Sequence, residues 1–397
     1  MSGLYAVLEI GTTRTVLAAA EPSAGDRMKV VRYACIPSAG VRKSQILGIG
    51  KAAQSVKSVL RAVERGGEAD DALTIGNAFL VATGRHVKAD PYQGVVQVEG
   101  ARVGNADIEA AVRSSRTMPL PKDRELLDIA DRTYSLDSLC GITSPRGMSG
   151  RILRLDTLQI HADANRLNDA RTAAGEAHLE LRDPLFAPTC AAEAVTSEAE
   201  RRDGVLVLDF GGGSTGYAAY AGGCLCAAGA IGVGGDHVTN DIAHAFQTTY
   251  AQAEILKKEE ACAMPGSGDR RVTLRGDSPL MAARTLSRNA IDTVVNARMK
   301  ELLTVLGDAI GDGDLLQHMR AGVVATGGGS ALKGLFPLVE SVFGLPVRAG
   351  KPLYVDGFEN EPNPASLAAV AGALSYAHRN YEHKSVLENL IKGIFGK

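Results

Sequence analysis

The sequence predicts an α/β protein of two similar halves, and three stretches carry that expectation. Val205–Leu208 is a short apolar run, partly β-branched, that stops at a turn signal, so it reads as a buried strand. Asp209 closes it. Gly211, Gly212 and Gly213 then strip every Cβ from the next turn, and Ser214 and Thr215 follow. The same order stands near the N-terminus. LEIGTTRTVLAAA (Leu8–Ala20) aligns with LDFGGGSTGYAAY (Leu208–Tyr220): leucine, acid, apolar residue, glycine, a threonine four positions on, then alanines. A third glycine turn, TGGGSALKG (Thr326–Gly334), follows the apolar run Val323–Ala325.

The chemistry of these turns is that of an anion site. A turn without Cβ atoms lets backbone N–H groups approach a phosphate directly. Ser214 and Thr215 add hydroxyl donors, and Asp209 can hold a magnesium ion through water. Gly11, Thr12, Thr13 and Arg14, with Glu9 before them, are the counterparts in the first half. One such turn alone also suits a plain hairpin. Two in one chain point to two domains closing on one nucleotide. Gly327, Gly328 and Gly329 would let backbone lie against a purine or approach an α-phosphate.

In chain order, Tyr5–Ile10, Thr15–Ala20 and Val30–Ala34 read as strands. Ser44–Glu64 has helical spacing of Ile46, Ile49, Ala53, Val56, Val59, Leu60 and Val63. Asn77–Ala82 is a strand. From Arg85 to about Leu158 the character changes to short strands and one helix (Asn105–Arg116), as in an inserted subdomain. Arg151–Ala162 alternates as a strand, and Ala164–Ala177 and Ala191–Arg201 read as helices. Val238–Phe246 and Tyr250–Cys262 are helical, and Met264–Gly276 reads as a loop or hairpin tip. Met281–Leu306 reads as one long helix. A helix through Val342 follows the third glycine turn, and Pro364–His378 is a small-residue helix suited to close packing.

Bulk numbers bound the class. At 397 residues the chain is too long for one core. Its 45% hydrophobic and 22% charged content is that of an ordinary globular protein. A net charge of −2 gives no bulk attraction for nucleic acid, so no nucleic-acid partner is expected. Six scattered cysteines without a CxxC pair fit reduced thiols in a cytosolic protein. No apolar run approaches the roughly 18 residues of a membrane span.

The helix TTYAQAEILKKEEA puts Glu254 and Lys257 on one face. A carboxylate there can accept from ribose hydroxyls beside an ammonium near the base, although an exposed helical ion pair has the same spacing. With this helix in place, the order of motifs resembles the actin-like ATPases. PSAGVRKSQI, DRELL with YSLDS and SPRGMSG, VLVLDFGGGSTGYAAYAGG, VGGDHVTNDIAHAF, QAEILKKEEACA, AGVVATGGGSALKGL and VFGLPVRAGKP are similar to the bacterial cell-division family FtsA, over nearly the whole chain.

The resemblance implies an actin-like two-lobed fold around an ATP and Mg2+ cleft, with an FtsA-type subdomain inserted in the first lobe. It divides the chain into a first lobe core (1–83 and 161–200), a polymerisation subdomain (84–160), a second lobe core (201–232 and 321–378), a small subdomain (233–320), and a connector with a terminal helix (379–397). It further implies a filament of copies of this chain, other division proteins as partners, and the C-terminal tail of the tubulin-like FtsZ on the small subdomain, at Arg298 and Glu301 of ARMKELL.

Two departures bear on chemistry. The family's first hairpin has aspartate and lysine where Glu9 and Arg14 stand, and an arginine holds phosphate as a fork and not as a point charge. In LFAPTCAAEAV, Ala187 stands where an acid would orient the attacking water, and Glu193 is too far along, so turnover is expected to be slow at most. At the C-terminus, SVLENLIKGIFGK (Ser385–Lys397) places Val386, Leu387, Leu390, Ile391, Ile394 and Phe395 on one half of a helical wheel. With lysines at its ends it fits an in-plane anchor, which puts the protein on the cytoplasmic side of the cell membrane at the division site. A small-molecule kinase and a PilM-type pilus adaptor share the two hairpins. The kinase lacks a convincing catalytic acid here, and the terminal helix argues against both.

Overall fold

The computed structural model describes residues 3–25, 27–66, 73–117, 119–266, 270–274, 283–311 and 314–379. The expected membrane helix, with Val386, Leu387, Leu390, Ile391, Ile394 and Phe395, lies outside the described residues.

β1 (Tyr5–Ile10), β2 (Arg14–Pro22) and β3 (Met28–Pro37) form an antiparallel meander. β4 (Val41–Arg42) and β5 (Gln45–Ile46) pair next, joined by Lys43 and Ser44. Both turn residues are left-handed, at φ 50° and 56°, the pattern of a two-residue type I′ hairpin. Helix α1 (Ile49–Arg65) therefore starts after this hairpin, with Gly48 as its N-cap, and not at Ser44 as the apolar spacing suggested. Its Val56, Val59 and Val63 face the sheet. β6 (Asn77–Ala82) then runs parallel to β1.

The inserted subdomain comprises β7 (Val87–Gln97), α2 (Asn105–Ser115), β8 (Arg124–Leu136), β9 (Leu139–Ile142) and β10 (Ile152–Asp163). Its sheet runs β7-β10-β8-β9, around a small core that includes Leu153 and Leu155. The chain returns through α3 (Ala164–Gly175), whose N-cap Asp163 accepts from Asn165 N, then β11 (Glu180–Phe186), parallel to β6, and α4 (Ala187–Val195). The single helix expected over Ala191–Arg201 is two. Ser197 breaks it by capping α5 (Glu198–Asp203) in a reciprocal box with Glu200.

The second lobe repeats the first. β12 (Val205–Phe210), β13 (Thr215–Ala221) and β14 (Cys224–Ile231) form a second meander. The repeat holds to the residue. Tyr5 pairs with Ala20 and Ile10 with Thr15 in the first hairpin, and Val205 with Tyr220 and Phe210 with Thr215 in the second. α6 (Gly235–Ala245), α7 (Tyr250–Glu259), β15 (Arg271–Leu274), β16 (Arg284–Ser287) and α8 (Arg288–Ile310) build the small subdomain. The long helix begins at Arg288 and not Met281, because Arg284–Ser287 pairs with β15 and Ser287 caps the helix through Ala290 N. After α9 (Asp314–Gln317), β17 (Val323–Thr326) runs parallel to β12, as β6 does to β1. A 3-10 turn (Gly328–Ala331), α10 (Leu335–Phe343) and β18 (Val347–Ala349) complete the sheet β14-β13-β12-β17-β18.

The sequence puts 321–378 in the second lobe, but the chain crosses back before its end. β19 (Val355–Asp356) joins the first sheet beside β3, giving the order β11-β6-β1-β2-β3-β19. Arg27 and Asp356 pair across this junction. A 3-10 turn (Pro364–Leu367) leads into a helix over residues 368–379, whose Val370, Ala371 and Leu374 belong to the core cluster that holds Leu8, Leu17 and Ala191.

His86, where the inserted subdomain leaves the first lobe, gives a pH expectation. Burial pushes its imidazole down to about 4, and the positive charges of Arg166 and Arg124 act in the same direction against Asp163. The unfolded chain therefore binds the proton first. Stability is full above about pH 6.5 and falls toward pH 4, by at most about 3 kcal/mol from this residue. Urea titrations from pH 4 to 8 should show a shallower acid loss for His86→Gln than for the parent chain. Equal slopes would contradict the assignment.

Candidate functional site

The two hairpins meet. In each, the first glycine N–H donates to the carbonyl three residues on: Gly11 to Arg14 and Gly211 to Ser214, both at 3.0 Å. They face one another so closely that a Cβ on Gly213 would overlap Thr12 Oγ1 and stand 2.8 Å from the backbone nitrogen of Ser44. Glu9, Gly11, Thr12, Thr13, Arg14, Asp209, Gly211, Gly212, Gly213, Ser214, Gly327 and Gly328 all line one cleft between the lobes. These are residues from three separate glycine turns, brought together by the parallel pairing of β12 with β17 and the closure of the two sheets.

Four expected residues stand outside that lining. Thr215 is buried and its hydroxyl donates to Val233 O at 2.8 Å, so it fastens the hairpin from behind. Gly329 packs against Phe210. Glu254 and Lys257 form an ion pair at 2.6 Å, and Lys257 also donates to Gly235 O and Thr239 Oγ1. The pair braces the start of α6, whose Gly235 and Asp236 N–H groups donate to Gly211 O and Gly212 O. It supports the second hairpin at one remove.

The charge in the cleft is unbalanced. Glu9 and Asp209 are recessed, and Arg14 is the cation that acts on both. Burial pushes Glu9 up to about 7, with Asp209 adding to the rise and Arg14 opposing it. Burial likewise pushes Asp209 up to about 6 against Arg14. The guanidinium is held by Ser366, with Nη1 donating to its Oγ at 2.8 Å and Nη2 to its carbonyl. Gly327 N donates to neighbouring Ala365 O, and Gly327, at φ +82°, packs against Asp209 with no room for a Cβ. One short turn thus fixes the cation of the first hairpin and the acid of the second. Once both ionise, two carboxylates facing one guanidinium leave an excess of negative charge, with only oxygen atoms as candidate metal donors. That donor set fits a magnesium ion, which uses one or two carboxylates and completes its shell with phosphate oxygens and water.

Ala187 and Pro188 form the cleft wall at the start of α4, while Glu193 is drawn away into an ion pair with Arg379. Arg298 is not a freely solvated residue. Its fork takes Asp241 of α6 at 2.5 and 3.0 Å, and its other nitrogen takes Glu301 at 2.7 Å. Ser44 and Ser366 line the cleft without having been expected there. The polar run RKSQ between Val41 and Ile46 was the available signal for the first, and nothing local marks the second.

A strand–glycine hairpin–strand unit used twice in one register, with its two turns closing one cleft, defines an actin-like two-lobed fold. Solved structures agree on the fold. The PilM-PilN type IV pilus biogenesis complex matches with a TM-score of 0.62 at 19% identity, covering 94% of this chain and 98% of that one. MreB5 of Spiroplasma citri bound to ADP matches at 0.55 and 14%, covering 98% of each. Within that class, the chain belongs to the FtsA family of cell-division proteins. A family model described as cell division protein FtsA matches residues 206–372, and one for the SHS2 domain inserted in FtsA matches 84–161. Cell division protein FtsA of Pseudomonas aeruginosa is 31% identical over 373 residues, spanning 93% of this chain and 88% of that protein. The Escherichia coli K12 protein of the same name is 27% identical over 386 residues, spanning 94% and 90%.

Proposed function

We propose that the protein binds ATP with Mg2+ between its lobes, polymerises with copies of itself through the inserted subdomain, and ties FtsZ filaments to the cytoplasmic face of the membrane during division. The observation that carries this reading is the convergence of both hairpins, with Glu9 and Asp209, on one cleft. When bound, magnesium would balance the two carboxylates and the phosphates of ATP. This chain's residues would orient the phosphates by the backbone N–H groups of Thr12, Thr13, Gly212 and Gly213, and Glu9 and Asp209 would hold the metal. Turnover is slow, since the first turn of α4 offers Ala187 and Pro188 where a water-orienting acid would stand.

Among the described residues no helix is long and apolar enough to cross a membrane. The membrane contact belongs to Ser385–Lys397, which would lie in the plane of the bilayer. Arg298 and Glu301 would meet the FtsZ tail, with Asp241 holding the guanidinium in place. Electron microscopy of the protein on lipid with ATP and Mg2+ should show filaments, and deletion of Ser385–Lys397 should remove them from the bilayer. Membrane filaments that survive the deletion would sink the anchor, and brisk steady-state phosphate release would sink the slow-turnover reading.

A further inference from the structure

The Lys43–Ser44 tip belongs to the first lobe, and its Ser44 lines the cleft between the two hairpins, with Lys43 exposed beside it. Ser44 N donates to Thr12 Oγ1 at 2.8 Å, and Ser44 Oγ shares a hydrogen bond with Ser214 Oγ at 2.9 Å. Behind it, a Cβ on Gly84 would lie 2.8 Å from that of Ser44. Thr12 and Ser214 are the hydroxyls that flank the phosphate site from either lobe. Ser44 touches both of them, its backbone at Thr12 and its hydroxyl at Ser214. Two hydroxyls sharing one hydrogen bond also leave one O–H still to donate. Lys43 is exposed, makes no hydrogen bond or ion pair among the described residues, and lies close enough to the start of α6 for its charge to add to the burial that depresses His237. Arg14, by contrast, already holds Ser366.

We propose that this tip is a third phosphate-binding element, in which Ser44 and Lys43 engage the terminal phosphate of a nucleoside triphosphate and make lobe closure depend on it. The inference rests on the cleft being a nucleotide site. It assigns the discrimination between triphosphate and diphosphate to two residues outside both glycine hairpins.

Binding of ATP and ADP to the full chain, each with Mg2+, tests it by calorimetry. Ser44→Gly and Lys43→Gln should each weaken ATP about 5- to 30-fold, the range of one hydrogen bond to a charged group, and leave ADP within about twofold. Ser44→Gly should leave the melting temperature close to the parent's, because glycine adopts φ 56° without strain and this offsets the lost hydrogen bond to Ser214. If both variants keep the parent ratio of ATP to ADP affinity, or lose both nucleotides equally, the tip is a structural turn and the proposal fails. If the parent chain binds neither nucleotide, the cleft reading itself fails with it.

Discussion

Replacing Gly213 by alanine should cut ATP affinity by about 100-fold and hold the lobes apart. A Cβ at this position overlaps Thr12 Oγ1 and stands 2.8 Å from Ser44 N and 2.9 Å from Lys43 Cα. The threonine can rotate away. The backbone of Lys43 and Ser44 cannot, because a two-residue hairpin with both φ values positive fixes it. The strain is relieved only by moving one hairpin from the other, which separates the phosphate donors of the two halves. Overpacking of this kind costs about 1–3 kcal/mol, and the upper end of that range is a factor of about 100 in binding. Calorimetry on the folded variant measures it. Gly50→Ala is the control, since nothing stands within 4 Å of its Cβ and, in the first turn of α1, it should leave both stability and affinity close to the parent's. ATP binding by Gly213→Ala within threefold of the parent would show that the hairpins do not need this approach.

The glycine hairpins were legible because their determinants are local. Four apolar residues, an acid and a Cβ-free turn specify the strand and its end, and the register of the repeat follows from the alignment of Leu8 with Leu208. What stayed hidden depends on contacts far along the chain. Ile46 fits the helical spacing of α1, so nothing in sequence separates it from the helix. Only the left-handed pair at Lys43 and Ser44, braced by Thr12, Ser214 and Gly84, makes it a strand. The return of β19 to the first sheet rests on two paired residues and on Arg27 meeting Asp356, a separation that no periodicity reports. Glu254 and Lys257 were legible as a pair by helical spacing. That they brace Gly235, behind the hairpin, required the position of α6.

Asp209→Asn is expected to act in opposite directions on stability and on metal-dependent binding. Asp209 sits where β12 ends, level with Thr326 of β17, and Gly327 packs against its carboxylate. In this recess it and Glu9 share one guanidinium, and burial raises both. A carboxyl whose folded pKa lies above its unfolded value destabilises the fold progressively as pH rises from the unfolded toward the folded value. For Asp209 that window runs from 3.8 to about 6. Above it the ionised group costs the ligand-free protein on the order of 1–3 kcal/mol, since each pKa unit is about 1.4 kcal/mol. Asparagine keeps the shape and removes the charge, so the ligand-free variant should melt higher than the parent at pH 8. The same charge is what a divalent cation needs. With Mg2+, ATP affinity should fall about 100-fold in the variant, on the scale of losing a metal-site partner. In excess chelator the variant should bind ATP at least as tightly as the parent, since the carboxylate then only repels the phosphates. Glu9→Gln should raise the ligand-free melting temperature at least as much, since burial pushes Glu9 up to about 7, and should lose less of the magnesium increment if the second hairpin carries most of the metal. A variant that melts lower than the parent, or that keeps the full magnesium increment in ATP affinity, would remove Asp209 from the cation site and leave the carboxylate a packing role against Gly327.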